Sequence, residues 1–175
     1  METGLIHLYY GDGKGKTTAS IGLAARAAGC GRKVVFAQFL KGCSTGEIAS
    51  LKKLGVRVIN SERFKGFFSS MDGDQQKEYL AEQLRLLSEI GEAAFGADPA
   101  DLLVLDEAAD ICGSNKVDEQ VLRDLLLQKP GGMEIVITGH CAPDWLVELS
   151  DYITEMKKHK HPYDRGILAR ESIDY

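Results

Sequence analysis

A chain of 175 residues with 44% hydrophobic and 27% charged side chains has the make-up of one ordinary globular domain, 1–175, and leaves no room for a long disordered tract. Its 26 acidic against 21 basic side chains give a formal charge of -5, which speaks against a broad nucleic-acid face, because grip on a phosphate backbone needs concentrated positive charge. No apolar run approaches 18 residues and no charged, apolar leader follows Met1, so neither a membrane span nor a secretory signal is expected and a cytoplasmic protein is.

In chain order, Leu5 to Tyr10 is apolar, β-branched or aromatic, and too short for a helix, so it predicts a buried strand that runs into a glycine-rich loop. From Lys16 the chain becomes alanine-rich with apolar residues at helical spacing, and Gly29 supplies the stop. Short apolar runs follow at Val34 to Phe39, Val56 to Ile59, Leu102 to Leu105, Ile135 to Ile137 and Tyr152 to Met156; runs of this kind are buried parallel strands. Between them, Asp74 to Phe95 places Tyr79, Leu80, Leu84, Leu87, Ile90 and Ala94 near one helical stripe, and shorter helices are expected at Asp118 to Leu127 and Asp144 to Leu149. Alternating strands and helices predict an α/β fold, a mostly parallel sheet with helices on both faces, whose ligands gather at the carboxyl ends of the strands. Cys30, Cys43, Cys112 and Cys141 lie far apart with no C-x-x-C pair, and are expected to be reduced thiols, not a disulfide or zinc framework.

The strongest chemical signal is Gly11-Asp12-Gly13-Lys14-Gly15-Lys16-Thr17-Thr18 between the first strand and the first helix. Glycines let successive N–H groups turn around phosphate oxygens, the helix N-terminus adds positive potential, Lys16 reaches the outer phosphates and Thr17 offers a hydroxyl to Mg²⁺. Lys14 is a candidate second cation for the phosphates, its alternative being a solvated loop lysine. The loop is a variant of the G-x-x-x-x-G-K-[ST] pattern, with Tyr10 at the first glycine position. A second half-site comes from Asp101-Leu102-Leu103-Val104-Leu105-Asp106-Glu107, an apolar strand ending in acids. Asp106 and Glu107 are the metal candidates, since Mg²⁺ at nucleotide sites takes one or two carboxylates alongside phosphate oxygens.

The loop GDGKGKTT, the stretch AQFLKG at Ala37 to Gly42, LLVLDE, VITGH and the tail TEMKKHKHPYDRGILARESIDY occur in this order. In that combination the chain resembles the P-loop ATP:corrinoid adenosyltransferases over nearly its full length, and the tail is more specific than the loop, which unrelated ATPases share. The resemblance implies a RecA-like P-loop NTPase sheet, a homodimer, MgATP at the loop, and a corrinoid (cobalamin or a precursor) that receives the 5′-deoxyadenosyl group at reduced cobalt, with a flavin-type reductase supplying cobalt(I). Carried over by motif, Gly11, Asp12, Gly13, Lys14, Gly15, Lys16, Thr17 and Thr18 would hold ATP, with Lys16 and Lys14 acting on the departing triphosphate. Thr17, Asp106 and Glu107 would hold the metal, and Gln38 and Lys41 would line the cleft. The sequence departs from the family pattern at His140, where arginine is common, and in beginning its first strand almost at once.

Two further features have competing explanations. The aromatic stretch Phe64-Lys65-Gly66-Phe67-Phe68 offers Phe67 and Phe68 to a flat corrin or, equally, to the core. His159 and His161 share one side of an extended segment, but a metal site there lacks further ligands. Trp145, after Pro143-Asp144, is expected to pack its helix on the sheet.

Overall fold

The computed structural model describes residues 3–40, 45–61, 71–113 and 117–174. Lys41, Phe67 and Phe68 lie outside them. Six strands form one sheet: β1 (Ile6–Tyr10), β2 (Val34–Gln38), β3 (Arg57–Asn60), β4 (Leu102–Asp106), β5 (Glu134–Gly139) and β6 (Tyr152–Glu155), ordered β3-β2-β4-β5-β1-β6. Every pairing is parallel, and β5 sits between the strand that leads into the glycine loop and the strand that ends in Asp106, in the RecA-like manner. The inner strands are apolar over most of their length, as suits a sheet with helices on both faces, and β2, β4 and β5 turn polar toward their carboxyl ends at Gln38, Asp106 and Thr138. One face buries Ile6, Leu8, Val35, Ala37, Leu103, Leu105, Ile135 and Ile137 under α3 (Gly73–Phe95), α4 (Ala108–Gly113), α5 (Glu119–Leu127) and α6 (Asp144–Leu149). The other buries Val34, Phe36, Leu102, Val104 and Val136 with residues of α1 (Lys16–Gly29) and α2 (Gly46–Lys53). A short 3-10 turn follows at Pro162–Arg165.

Each strand predicted from an apolar run is present, and so are the three longer helices and α6, with ends shifted by a residue or two. Two short helices, α2 and α4, carry too little periodicity to be read in advance. In α3 a capping box starts the helix: the Asp72 carboxylate accepts from the N–H groups of Asp74 and Gln75, and Gln75 returns a bond to the Asp72 N–H, an arrangement worth about 1 kcal/mol. The core-facing stripe of α3 is Tyr79, Gln83, Leu86, Leu87, Ile90, Ala93 and Ala94. Leu84, expected on that stripe, is 46% exposed and lines a shallow groove with Val121 and Leu125 of α5, because the helix sits about one residue further round than its leucines suggest. Trp145 packs against the core and ties α6 to α5: its Nε1–H donates to Glu119 at 2.8 Å and the Arg123 guanidinium lies 5.9 Å from its ring centroid. Among the described residues no helix is long and apolar enough to cross a membrane, and Cys30 and Cys141 are free thiols.

Candidate functional site

The register of the sheet assembles the site. Gln38 pairs with Asp106 across β2 and β4, the β4–β5 pairing sets Leu105 opposite Ile137, and Tyr10 pairs with Gly139 across β1 and β5. Because side chains alternate along a strand, Gln38, Asp106 and Thr138 point to the α1 side of the sheet, at its carboxyl edge and directly beneath Thr17. Asp106 is fully buried. Its carboxylate accepts from the Thr17 hydroxyl at 2.9 and 3.2 Å, from Thr138 Oγ1 at 2.8 Å and from Gln38 Nε2 at 3.2 Å. A buried carboxylate is tolerated only with such a set of donors.

Glu107 follows with φ of 63°, a left-handed conformation that costs a non-glycine residue about 1–3 kcal/mol and is concentrated at functional sites. Its N–H donates to Thr138 Oγ1 at 2.8 Å and its carbonyl accepts from Asp110 N at 3.2 Å. Burial is the main cause, and the Glu107 charge the lesser one, that pushes the Tyr79 phenol of α3 up to about 12.

The glycine loop opens at Gly11, whose φ of 112° and N–H bond to the His140 carbonyl at 3.2 Å tie it to the end of β5. His140 is held in turn by Asp110, which accepts from its backbone N–H at 2.9 Å and meets Nδ1 at 3.0 Å. Gly15 closes the loop with φ of 119° as the N-cap of α1. Lys16 folds across the loop, its ammonium donating to the carbonyls of Gly11 at 2.6 Å and Gly13 at 2.9 Å, so it stiffens the loop while carrying positive charge at its centre. Thr17 sits in the first turn of α1 above Asp106, and Thr18 is exposed beside it.

Sequence reasoning missed what holds the loop from outside. The chain leaving β6 crosses it as a strap: Met156 N donates to the Tyr10 carbonyl at 2.8 Å, the Gly13 N–H donates to the Met156 carbonyl at 2.7 Å, and the Asp12 carboxylate accepts from Lys158 N at 2.9 Å. That last bond is the main reason the Asp12 carboxyl lies below its ordinary range. Asp12 therefore faces the strap. Lys14 turns to the C-terminal segment and pairs with Asp174, whose carboxyl is held well below the usual range chiefly by that ammonium and then by Arg170. Gln38 is 2% exposed, and its amide is spent on Asp106, Glu47 at 3.1 Å and Thr45 at 3.5 Å, so it supports Asp106 rather than lining the cleft. His161 caps the 3-10 turn through its Nδ1. Thr138 lies in the VITGH stretch and Met156 in the tail that carry the resemblance, but neither stood out as a site residue: one is a hydroxyl inside an apolar strand, the other acts through its backbone.

Among the described residues no group of three or more His, Cys, Asp or Glu could cage a metal ion. The donors present are hard oxygens, the Asp106 carboxylate and the Thr17 hydroxyl 2.9 Å from it. That set fits Mg²⁺, which keeps several waters and takes one or two protein oxygens together with substrate phosphates.

Sheet order, glycine loop and acid-ended strand define the class: an α/β protein of the P-loop NTPase-like fold. The family model for ATP:corrinoid adenosyltransferase BtuR/CobO/CobP matches residues 2–175. A corrinoid adenosyltransferase of Escherichia coli (strain K12) is 31% identical over 176 positions, covering 99% of this chain and 87% of that protein. Corrinoid adenosyltransferase CobA of Salmonella typhimurium is 31% identical over 175 positions with the same coverage, and a corrinoid adenosyltransferase of Pseudomonas aeruginosa is 32% identical over 177, covering 99% and 85%. The chain belongs to the ATP:corrinoid adenosyltransferase family and is a transferase.

Proposed function

We propose that this protein binds MgATP at Gly11 to Thr18 and transfers its 5′-deoxyadenosyl group to the cobalt of a corrinoid. The observation that carries the proposal is the bond from the half-buried Thr17 to the buried Asp106, which couples an acid-ended strand to the first turn after a glycine loop in a chain of this family. An electron pair on cobalt(I) forms the bond to C5′ while the C5′–O bond breaks, its electrons leave with triphosphate, and cobalt ends two electrons more oxidised. No general base is needed. The protein's part is placement, charge and exclusion of water.

In this account the loop N–H groups and Lys16 neutralise the growing charge on the triphosphate, with Lys14 joining them once it leaves Asp174. Thr17 and Asp106 would hold Mg²⁺, with Glu107 beside them, and the ion would supply further charge neutralisation at the phosphates. A flavin-type reductase keeps the cobalt reduced in the cytoplasm, and two copies of the chain work as a homodimer. The test is to incubate the protein with MgATP and chemically reduced corrinoid and identify the phosphate product. Triphosphate in step with adenosylcorrinoid is expected. ADP and phosphate would overturn the proposal in favour of an ATPase or kinase.

A further inference from the structure

We infer that Thr138 is the residue that positions the metal-binding acid of this site, fixing the Asp106 carboxylate and the Glu107 turn through one hydroxyl; the inference rests on the proposed role of Asp106 at Mg²⁺. Thr138 is 1% exposed, and its Oγ1 lies between two partners, accepting from Glu107 N at 2.8 Å and donating to Asp106 Oδ1 at 2.8 Å. A backbone N–H can only donate, so the hydroxyl must accept there, and its single proton is left for the carboxylate. The direction of the whole chain of bonds is thereby set by the Glu107 backbone, just after β4.

The two oxygens of Asp106 are also divided between its neighbours. Thr138 on β5 holds Oδ1, and Gln38 on β2 holds Oδ2 at 3.2 Å. With Thr17 turned toward a cation, these two bonds remain and keep the carboxylate plane fixed. Gln38 is in turn shared with Glu47 and its contact is the longer, so Thr138 is the stronger constraint. The same hydroxyl supports the strained φ of 63° at Glu107, because the N–H it receives belongs to that residue. Groups that orient a metal ligand from behind change metal affinity by about 10- to 100-fold when removed.

The experiment compares the wild type, Thr138→Val, Thr138→Ser and Asp106→Asn by calorimetric titration of ATP at a series of MgCl₂ concentrations, with turnover and near-ultraviolet circular dichroism measured alongside. Thr138→Val, which keeps shape and loses the hydroxyl, is expected to raise the Mg²⁺ needed for half-maximal nucleotide binding by about 10-fold or more. Its ATP affinity in EDTA should stay within about twofold of wild type, and Thr138→Ser should restore the Mg²⁺ response. If Asp106→Asn shifts the Mg²⁺ response and Thr138→Val does not, the inference is wrong while the metal assignment stands. If neither shifts it, the metal assignment itself fails. Should Thr138→Val lose its native spectrum, Thr138→Ala carries the same titration, and loss of the spectrum in both makes Thr138 a structural residue and overturns the inference.

Discussion

Tyr79 shows how one side chain reports on the site at a distance. Its phenol sits in the core end of α3, 5% exposed, and burial first, then the Glu107 charge, pushes it up to about 12. The folded protein thus holds the Tyr79 proton more tightly than the unfolded chain, where a tyrosine titrates near 10. The folded state's advantage is complete below about pH 10 and is lost as pH rises from there toward about 12. The unfolding free energy from urea titrations should fall over that range by up to roughly 1.4 kcal/mol per pH unit from this group alone, and Tyr79→Phe should show a flatter alkaline arm after subtraction of the common lysine background. A constant difference between the two proteins across that range would refute the account. Tyr79 was legible as a core position because it starts the apolar stripe of α3. Its neighbour Gln83, equally buried, was not, since a polar letter at a core position carries no hint of which way the helix is rotated. Thr138 is the same case inside a strand: between Ile137 and Gly139 it reads as one more β-former.

At the scale of elements, the phosphate loop is made by three segments of chain that sequence order keeps apart. The loop itself was readable, because glycines, a lysine and two threonines between a strand and a helix have few other uses. The strap after β6 was not, because its grip on the loop is made by the Met156 backbone, which every residue but proline possesses in the same form. A Cβ added at Gly13 would stand 2.6 Å from the Met156 carbonyl oxygen and 2.9 Å from the Lys157 carbonyl carbon, backbone atoms just beyond β6 that the Met156 N–H bond to the Tyr10 carbonyl anchors. Gly13→Ala should therefore lift the strap from the loop, weaken nucleotide binding at least tenfold and lower the melting temperature. Gly22→Ala, where no atom lies within 4 Å of the new carbon, should leave binding unchanged and serves as the control; equal binding by both variants would show that the strap does not shape the loop.

For the molecule as a whole, a ligand that binds only the folded form stabilises it by mass action. At about 100 times its dissociation constant MgATP contributes about 2.7 kcal/mol, which for a chain of this length is a rise in Tm of roughly 5–10 °C. Adding EDTA should remove most of that shift if Asp106 and Thr17 act through a cation, and an identical shift with and without EDTA would argue against a metal at this site. The strap carries one more consequence, concerning the order in which the protein is made. Asp12 and Lys158 are 146 residues apart in sequence and hydrogen-bonded in space, and contacts of such separation form late because a long loop must close first. During synthesis the glycine loop leaves the ribosome among the earliest segments, while the backbone that braces it emerges about 145 residues afterwards. A nascent chain thus carries every letter of the phosphate-binding motif long before the backbone that braces it has been made.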